Sequence, residues 1–128
     1  MSNLENKLKK IIDTFNNVNK EIAFKDIKEL SEKFNKNKSV QNILYQISMK
    51  VGDIDTSINA LKKILFVDKN NISYLSQLYK LLLGKGLLDQ ALEKINSILE
   101  KDNKNYDAIR DKSYIYFLKK NYIEAKKY

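Results

Sequence analysis

The chain has no cysteine, histidine, proline or tryptophan among its 128 residues, and only three glycines. Without cysteine and histidine it has no disulfides, no thiol nucleophile, no zinc ligands of these types and no histidine acid–base catalyst. The scarcity of proline and glycine leaves few residues that oppose a helix, whereas all-β folds need frequent turn formers. An exported, disulfide-bonded protein is disfavoured, and we expect a cytoplasmic location.

Long hydrophobic segments are missing as well. The N-terminal stretch has no apolar core typical of a signal peptide, and runs such as Leu81–Leu83 are far too short to cross a bilayer. We therefore expect no membrane partner.

The charge balance is basic, with 24 lysines and arginines against 16 acidic residues and a net charge of +8. Lysines on one face would neutralise phosphates, so a weak, basic nucleic-acid-binding helical repeat is one alternative. However, the lysines are spread along the chain among acidic residues, and Arg110 is the single arginine. Arginine is the better bidentate donor to bases, so nucleic-acid binding is disfavoured.

A 34-residue period organises what is present. Gly52 is followed by Gly86 at this step, and Ser57 by Ala91 and Ala125. Such a period is typical of stacked helix–turn–helix units. With apolar residues at spacings of three and four, it predicts helices at 4–17, 20–34, 38–51, 54–68, 72–84, 87–101, 105–119 and 122–128.

Helix starts and ends also carry recurring signals. Asparagines at the same register precede predicted first helices and predict N-caps: Asn3, Asn37, Asn71 and Asn105. Glycines are expected to end the first helices: Gly52, Gly84 and Gly86. In the last repeat Lys120-Asn121 takes the glycine position, and a new helix carrying Tyr122 and Ala125 is expected to run to Tyr128.

The repeat resembles the tetratricopeptide repeat (TPR). Gly52 and Gly86 match the turn glycine of the family. Its small residue, with apolar anchors four and seven residues later, is matched by Ser57, Leu61 and Ile64, and again by Ala91, Ile95 and Ile98. The resemblance implies an all-α, right-handed superhelical solenoid of antiparallel helix hairpins. Its parts would be a degenerate hairpin at 1–37, repeats at 38–71 and 72–105, and a partial repeat at 106–128, all in one array. Tyr45 and Tyr79 depart from the family, which has a small residue where the two helices approach, and they predict a wider crossing.

The resemblance further implies a scaffold that binds a peptide or helix of a partner protein in a concave groove lined by first helices. It implies no catalysis, metal or cofactor; a docking segment of a larger enzyme is a further alternative. Asp107 and Asp111 lie one turn apart but nothing places them in a buried cleft, so they are not read as catalytic. The candidate groove residues are Asn42, Gln46, Met49, Ser73, Gln77, Lys80, Asp107, Arg110, Asp111, Tyr114 and Phe117.

Some family members grip a C-terminal carboxylate with Lys, Asn and Arg at fixed groove positions. Neither register of this sequence supplies that set, so binding of this type is disfavoured. The partial last repeat would expose apolar surface on its first helix, which favours self-association; an isologous dimer is the simplest closed form.

Overall fold

The computed structural model describes residues 2–127, except for the side chains of residues 122, 124, 125 and 127. Within that range the chain forms helices and no strand, which confirms the predicted all-α class; the helices number seven, where eight were predicted. None of the helices described is long and apolar enough to span a bilayer. The helices are α1 Asn3–Asn17, α2 Lys20–Lys33, α3 Lys38–Val51, α4 Ile54–Val67, α5 Ile72–Gly84, α6 Leu88–Lys101 and α7 Tyr106–Lys127.

Asparagine caps begin four of these helices: Asn19 caps α2, and Asn37, Asn71 and Asn105 cap three others at the predicted positions. Asn37 Oδ1 accepts the backbone N–H of Val40 at 3.1 Å, which satisfies one donor that the first turn of α3 leaves free. Asn71 and Asn105 cap α5 and α7 in the same way, at 3.2 and 3.0 Å. The prediction for Asn3 is wrong, because Asn3 is already helical and Ser2 caps α1 instead.

The turns inside the hairpins follow the glycines. Gly52 and Gly86 adopt φ of 83° and 77°, the left-handed conformation that other residues adopt only with strain. Gly84 is still helical, as the last residue of α5. After Gly52, Asp53 caps α4 by accepting the N–H of Thr56 at 3.0 Å.

The chain divides into two compact units, Met1–Lys69 and Asn70–Tyr128. The boundary falls within two residues of the predicted repeat boundary after residue 71. In the first unit α1 packs on α2, α2 on α3, and α3 on α4. Apolar side chains from all four helices are buried there, among them Leu8, Ile11, Ala23, Ile27, Val40, Leu44, Ile47, Leu61 and Ile64.

A serine pair marks the close approach of α3 and α4. The buried Ser57 hydroxyl lies 3.0 Å from Ser48 Oγ and donates to it, while Ser48 donates to the Leu44 carbonyl at 2.6 Å. Small side chains let the two backbones come this near. Tyr45, one turn away on α3, packs partly buried against the core of this unit, and the predicted wider crossing stays a prediction.

Gln41 joins α3 to the end of α2. This side chain is fully buried, and its Nε2 donates to the carbonyls of Ser31, Phe34 and Asn35 at 3.2–3.3 Å. Those carbonyls lie at the C-terminal end of α2 and in the turn after it, where backbone acceptors lack helical partners. Gln41 therefore fixes the connection between the first two hairpins of this unit.

In the second unit α5 packs on α6, and α6 on α7. Its buried apolar side chains lie at the predicted spacings: Leu75, Leu78, Leu82, Ala91, Ile95, Ile98, Ala108 and Ile115. Ala91, the small residue of the repeat, is completely buried at the α5–α6 hairpin. This hairpin lies within residues 72–105 and that of α3 and α4 within residues 38–71.

The last helix corrects one prediction. Instead of a break at Lys120-Asn121 and a second helix from residue 122, α7 runs without interruption from Tyr106 to Lys127. The α3–α4 and α5–α6 turns use glycine at positive φ. Lys120 stands where that glycine would be, and lysine disfavours this conformation and continues a helix readily. The predicted packing of the Tyr122 and Ala125 side chains, and of Tyr128, lies outside the residues described.

Candidate functional site

The first helices of the hairpins each present an exposed face. Gln46 on α3, Lys80 on α5 and Tyr114 on α7 lie 34 residues apart, at one register position, and all three are exposed. Other positions of the same repeat, such as Leu44 and Leu78, face the core and are buried. Each first helix therefore has one side that packs on the core and one exposed side, which we call its free side.

In the first unit, the free side of α3 carries the three predicted residues. Gln46 and Met49 are exposed, and Asn42 is half-buried. They lie at i, i+4 and i+7, which places them along one side of the helix. Two amides and a thioether give this side hydrogen-bonding capacity and one adaptable apolar contact.

In the second unit, α5 contributes Ser73, Gln77 and Lys80. Gln77 Nε2 lies 3.3 Å from Ser73 Oγ, within the same helix. Its Oε1 is buried and has no hydrogen-bond partner among the described residues. Lys80, one turn further along, is exposed. This side of α5 is polar and offers both donors and acceptors.

An ion cluster covers the start of α7. Arg110 lies 3.3 Å from Asp107 through Nη1 and 3.2 Å from Asp111 through Nε. These contacts hold the guanidinium against its own helix, and the hydrogen bond to Asp111 raises the pKa of Arg110 above its ordinary value. Asp107, Arg110 and Asp111 are therefore brought together, and one guanidinium is shared by two carboxylates.

Tyr79 links α5 to this cluster. It is only 1% exposed, and its hydroxyl donates to Asp111 Oδ2 at 2.6 Å. Burial, and then the hydrogen bond to Asp111, raise the pKa of Tyr79 well above its ordinary value. In the sequence Tyr79 stands out only as a bulky departure from the repeat. Its partner Asp111 lies 32 residues later, close to one repeat step, but the period alone does not predict the bond.

Aromatic side chains continue the free side of α7 beyond the ion cluster. Tyr114 and Phe117 are each about half exposed. Their rings provide flat apolar area, and the Tyr114 hydroxyl adds a hydrogen-bonding group. Flat apolar contact and hydrogen bonding are therefore both available on this side of α7.

The arrangement offers little for catalysis. The Asp111 oxygens are engaged by Tyr79 and Arg110, and its side chain is 14% exposed. Asp107 is exposed and paired with Arg110. Among the residues described, no group of three or more acidic side chains is placed to hold a metal ion. The chemistry present is that of hydrogen bonding and apolar contact.

No known protein-family model matches the sequence, and no curated protein matches it either. Solved structures do match the fold. A TPR protein from Parabacteroides merdae superimposes with a TM-score of 0.72 at 20% identity, over 96% of this chain and 49% of that one. This chain thus spans about half the length of that relative.

Two further matches are structures with a bound peptide. The first TPR of Spaghetti, bound to the HSP90 peptide SRMEEVD, matches with a TM-score of 0.62 at 11% identity, over 88% of this chain and 89% of that one. The Yersinia enterocolitica type III secretion chaperone SycD, in complex with a peptide of the translocator YopD, matches with a TM-score of 0.61 at 17% identity, over 98% and 95%. The chain has the fold of tetratricopeptide-repeat proteins.

Proposed function

We propose that the chain is a scaffold that binds a segment of another protein along the free sides of its first helices, without chemistry of its own. One observation carries the proposal: within the second unit, Lys80 on α5 and Tyr114 on α7 share a register position and are both exposed. A surface that recurs with the repeat can follow the regular spacing of an extended or helical segment. Proteins of the same fold that hold the HSP90 and YopD peptides support this reading.

The charges of the candidate groove residues in the second unit favour a partner segment that is not strongly acidic. Among these residues, the positive charges of Lys80 and Arg110 are offset by the negative charges of Asp107 and Asp111. Because both carboxylates engage Arg110, its guanidinium is not free to form a bidentate pair with a carboxylate of the partner. Recognition would rest on the Gln77 amide, the Lys80 ammonium and the rings of Tyr114 and Phe117.

The same pairing argues against nucleic acid as the main ligand. The single arginine is engaged within α7, so base or phosphate recognition would depend on dispersed lysines alone. Such contacts give weak binding that is not selective for sequence and falls steeply with salt.

The test is selection of binding peptides from a random display library, followed by affinity measurement with the purified chain. The variant Q77A/K80A/Y114A removes an amide, a charge and a ring from the proposed surface. We expect it to lose at least tenfold in affinity for selected peptides, because aromatic and hydrogen-bonding anchors dominate such interfaces. Circular dichroism should remain unchanged.

A matched control changes a glutamine, a lysine and an aromatic residue on second helices. Q90A, K62A and F66A alter an exposed glutamine, lysine and phenylalanine of α6 and α4. The triple control should bind selected peptides as the unaltered chain does. Peptide affinity that survives the Q77A/K80A/Y114A change, or that falls equally in the control, would exclude the proposed surface.

A further inference from the structure

A hollow lined by lysines lies in the first unit, between α4 and the turn after α2. It has a volume of about 290 Å³, and its lining residues are Asn35, Lys36, Lys62, Lys63 and Phe66. Lysines are spread along most of the chain, but three of them come together here, and no acidic residue is among the lining residues. We call these five residues the lysine hollow.

The last turns of α4 supply one wall of the lysine hollow. Lys62 and Lys63 lie four and three residues before Phe66, so the three side chains lie on neighbouring positions of one helix side. Among the residues described, Lys62 and Lys63 form no ion pair. The next acidic residue along the chain, Asp68, is engaged by Lys38 at 2.7 Å. The positive charge of this wall is therefore available to a ligand.

The turn after α2 supplies the other wall, with Asn35 and Lys36. This turn is held from inside, because the buried Gln41 side chain donates to the Asn35 carbonyl at 3.2 Å. The backbone N–H of Asn37 also donates to the Phe34 carbonyl at 3.0 Å. A wall that is already fixed lowers the cost of ordering when a ligand binds.

An exposed aromatic ring accompanies the lysines. Phe66 is 63% exposed, and Lys36 Nζ lies 5.5 Å from the centre of its ring. A cation over an exposed ring is held weakly, whereas an ammonium bonds strongly to a phosphate oxygen. A phosphate in the lysine hollow can therefore draw Lys36 away from the ring and leave the ring free for a flat group.

The charges and the ring together define the class of ligand. A phosphate monoester carries about 1.5 to 2 negative charges in one compact group, and a carboxylate carries only one. Three ammonium groups around one hollow suit the phosphate better. Nucleobases stack on aromatic side chains, and the Asn35 amide offers both a donor and an acceptor to a base or sugar.

We propose that the lysine hollow binds a nucleoside monophosphate. The phosphate lies among Lys36, Lys62 and Lys63, and the base stacks on Phe66. The site is on a second helix and a turn, whereas the proposed peptide-binding surface is on first helices. The two proposals therefore succeed or fail independently.

The probe is adenosine 5′-monophosphate (AMP), followed by amide chemical shifts of the full chain in a nuclear magnetic resonance titration. Adenosine lacks the phosphate and ribose 5-phosphate lacks the base. We expect AMP to bind roughly tenfold more tightly than either, because stacking and charge act together. Shifts should be largest at residues 35–36 and 62–66, and binding should weaken as salt rises.

Two variants each remove one lysine and one aromatic ring: K62A/F66A in the lysine hollow and K80A/Y114A on the proposed peptide-binding surface. We expect the first to lose roughly tenfold in AMP affinity and the second to keep it. Both should unfold near the midpoint of the unaltered chain, since all four side chains are exposed.

Four results would overturn the proposal. They are no AMP binding at about 1 mM, adenosine binding as tight as that of AMP, an equal loss in both variants, and tetraglutamate binding as tight as that of AMP. The last result would show that the lysine hollow takes any anion. An oligothymidylate strand that binds far more tightly than AMP would likewise assign the lysines to nucleic acid instead.

Discussion

The Tyr79 hydroxyl on α5 donates a 2.6 Å hydrogen bond to Asp111 on α7. The two helices are separated in sequence by α6, so this bond joins elements that are not neighbours along the chain. We expect Y79F to lower the free energy of unfolding by about 1–2 kcal/mol, because a largely buried carboxylate loses a donor. Urea denaturation measures the change. Y106F, which alters an exposed tyrosine on α7, should have no measurable effect.

The same bond predicts a pH dependence. Burial and Asp111 raise the pKa of Tyr79 above the ordinary value of 10.0, so the folded chain keeps a proton that the unfolded chain releases. The stabilisation is therefore complete below pH 10 and is lost as the pH rises above it. The gap in unfolding free energy between the unaltered chain and Y79F should be constant from pH 7 to 9 and narrow above pH 10. A gap that widens there would contradict this assignment.

Gln41 should be among the most sensitive polar positions. Q41L keeps the volume but removes the amide donor shared by the carbonyls of Ser31, Phe34 and Asn35, and we expect a loss of about 1–3 kcal/mol. Q46L on the same helix serves as the control, because Gln46 is exposed and should tolerate the change. Chemical denaturation gives the free energy of unfolding of both variants. An equal loss in Q41L and Q46L would show that Gln41 does not stabilise the turn after α2.

Two glycines should respond to alanine with opposite signs. Gly52 has φ of 83°, so G52A should destabilise the chain by about 1–2 kcal/mol. Gly84 is helical and a Cβ there meets nothing within 4 Å, so G84A should stabilise it by about 0.5–1 kcal/mol. Thermal unfolding of the two variants gives the signs directly.

Ala91 lies at the α5–α6 hairpin with no exposed surface. A91W would force a large ring into filled space, and we expect a cost of about 1–3 kcal/mol. Q90W places the same ring on the neighbouring exposed position and should leave the unfolding midpoint nearly unchanged. If both variants unfold alike, Ala91 is not the tight contact of the repeat.

The sequence predicted the helices well because the period, the caps and the turn glycines all agree. Six of the seven helices described begin and end within one residue of the predicted bounds. The signals are local: an asparagine that can accept a backbone N–H, and a glycine that can adopt positive φ. Where the local signal was weak, at Lys120-Asn121, the predicted turn was wrong.

Side-chain partners were harder to predict than helices. The exposure of Gln46, Lys80 and Tyr114 follows from the register alone. The bond from Tyr79 to Asp111 depends on how α5 and α7 approach across α6, which periodicity does not specify. The same is true of Gln41, whose three acceptors come from the end of another helix. Whether the free sides bind a partner remains a proposal.

In this chain the starts of helices follow a more regular rule than their ends. Starts at residues 37, 71 and 105 are set by one side chain acting on its own first turn. Stops vary: Gly52 and Gly86 form hairpin turns at positive φ, whereas α1 ends at Val18 and α4 at Asp68 without glycine. Each of these starts can therefore be weakened by changing one side chain, whereas no single residue type governs the ends of the helices.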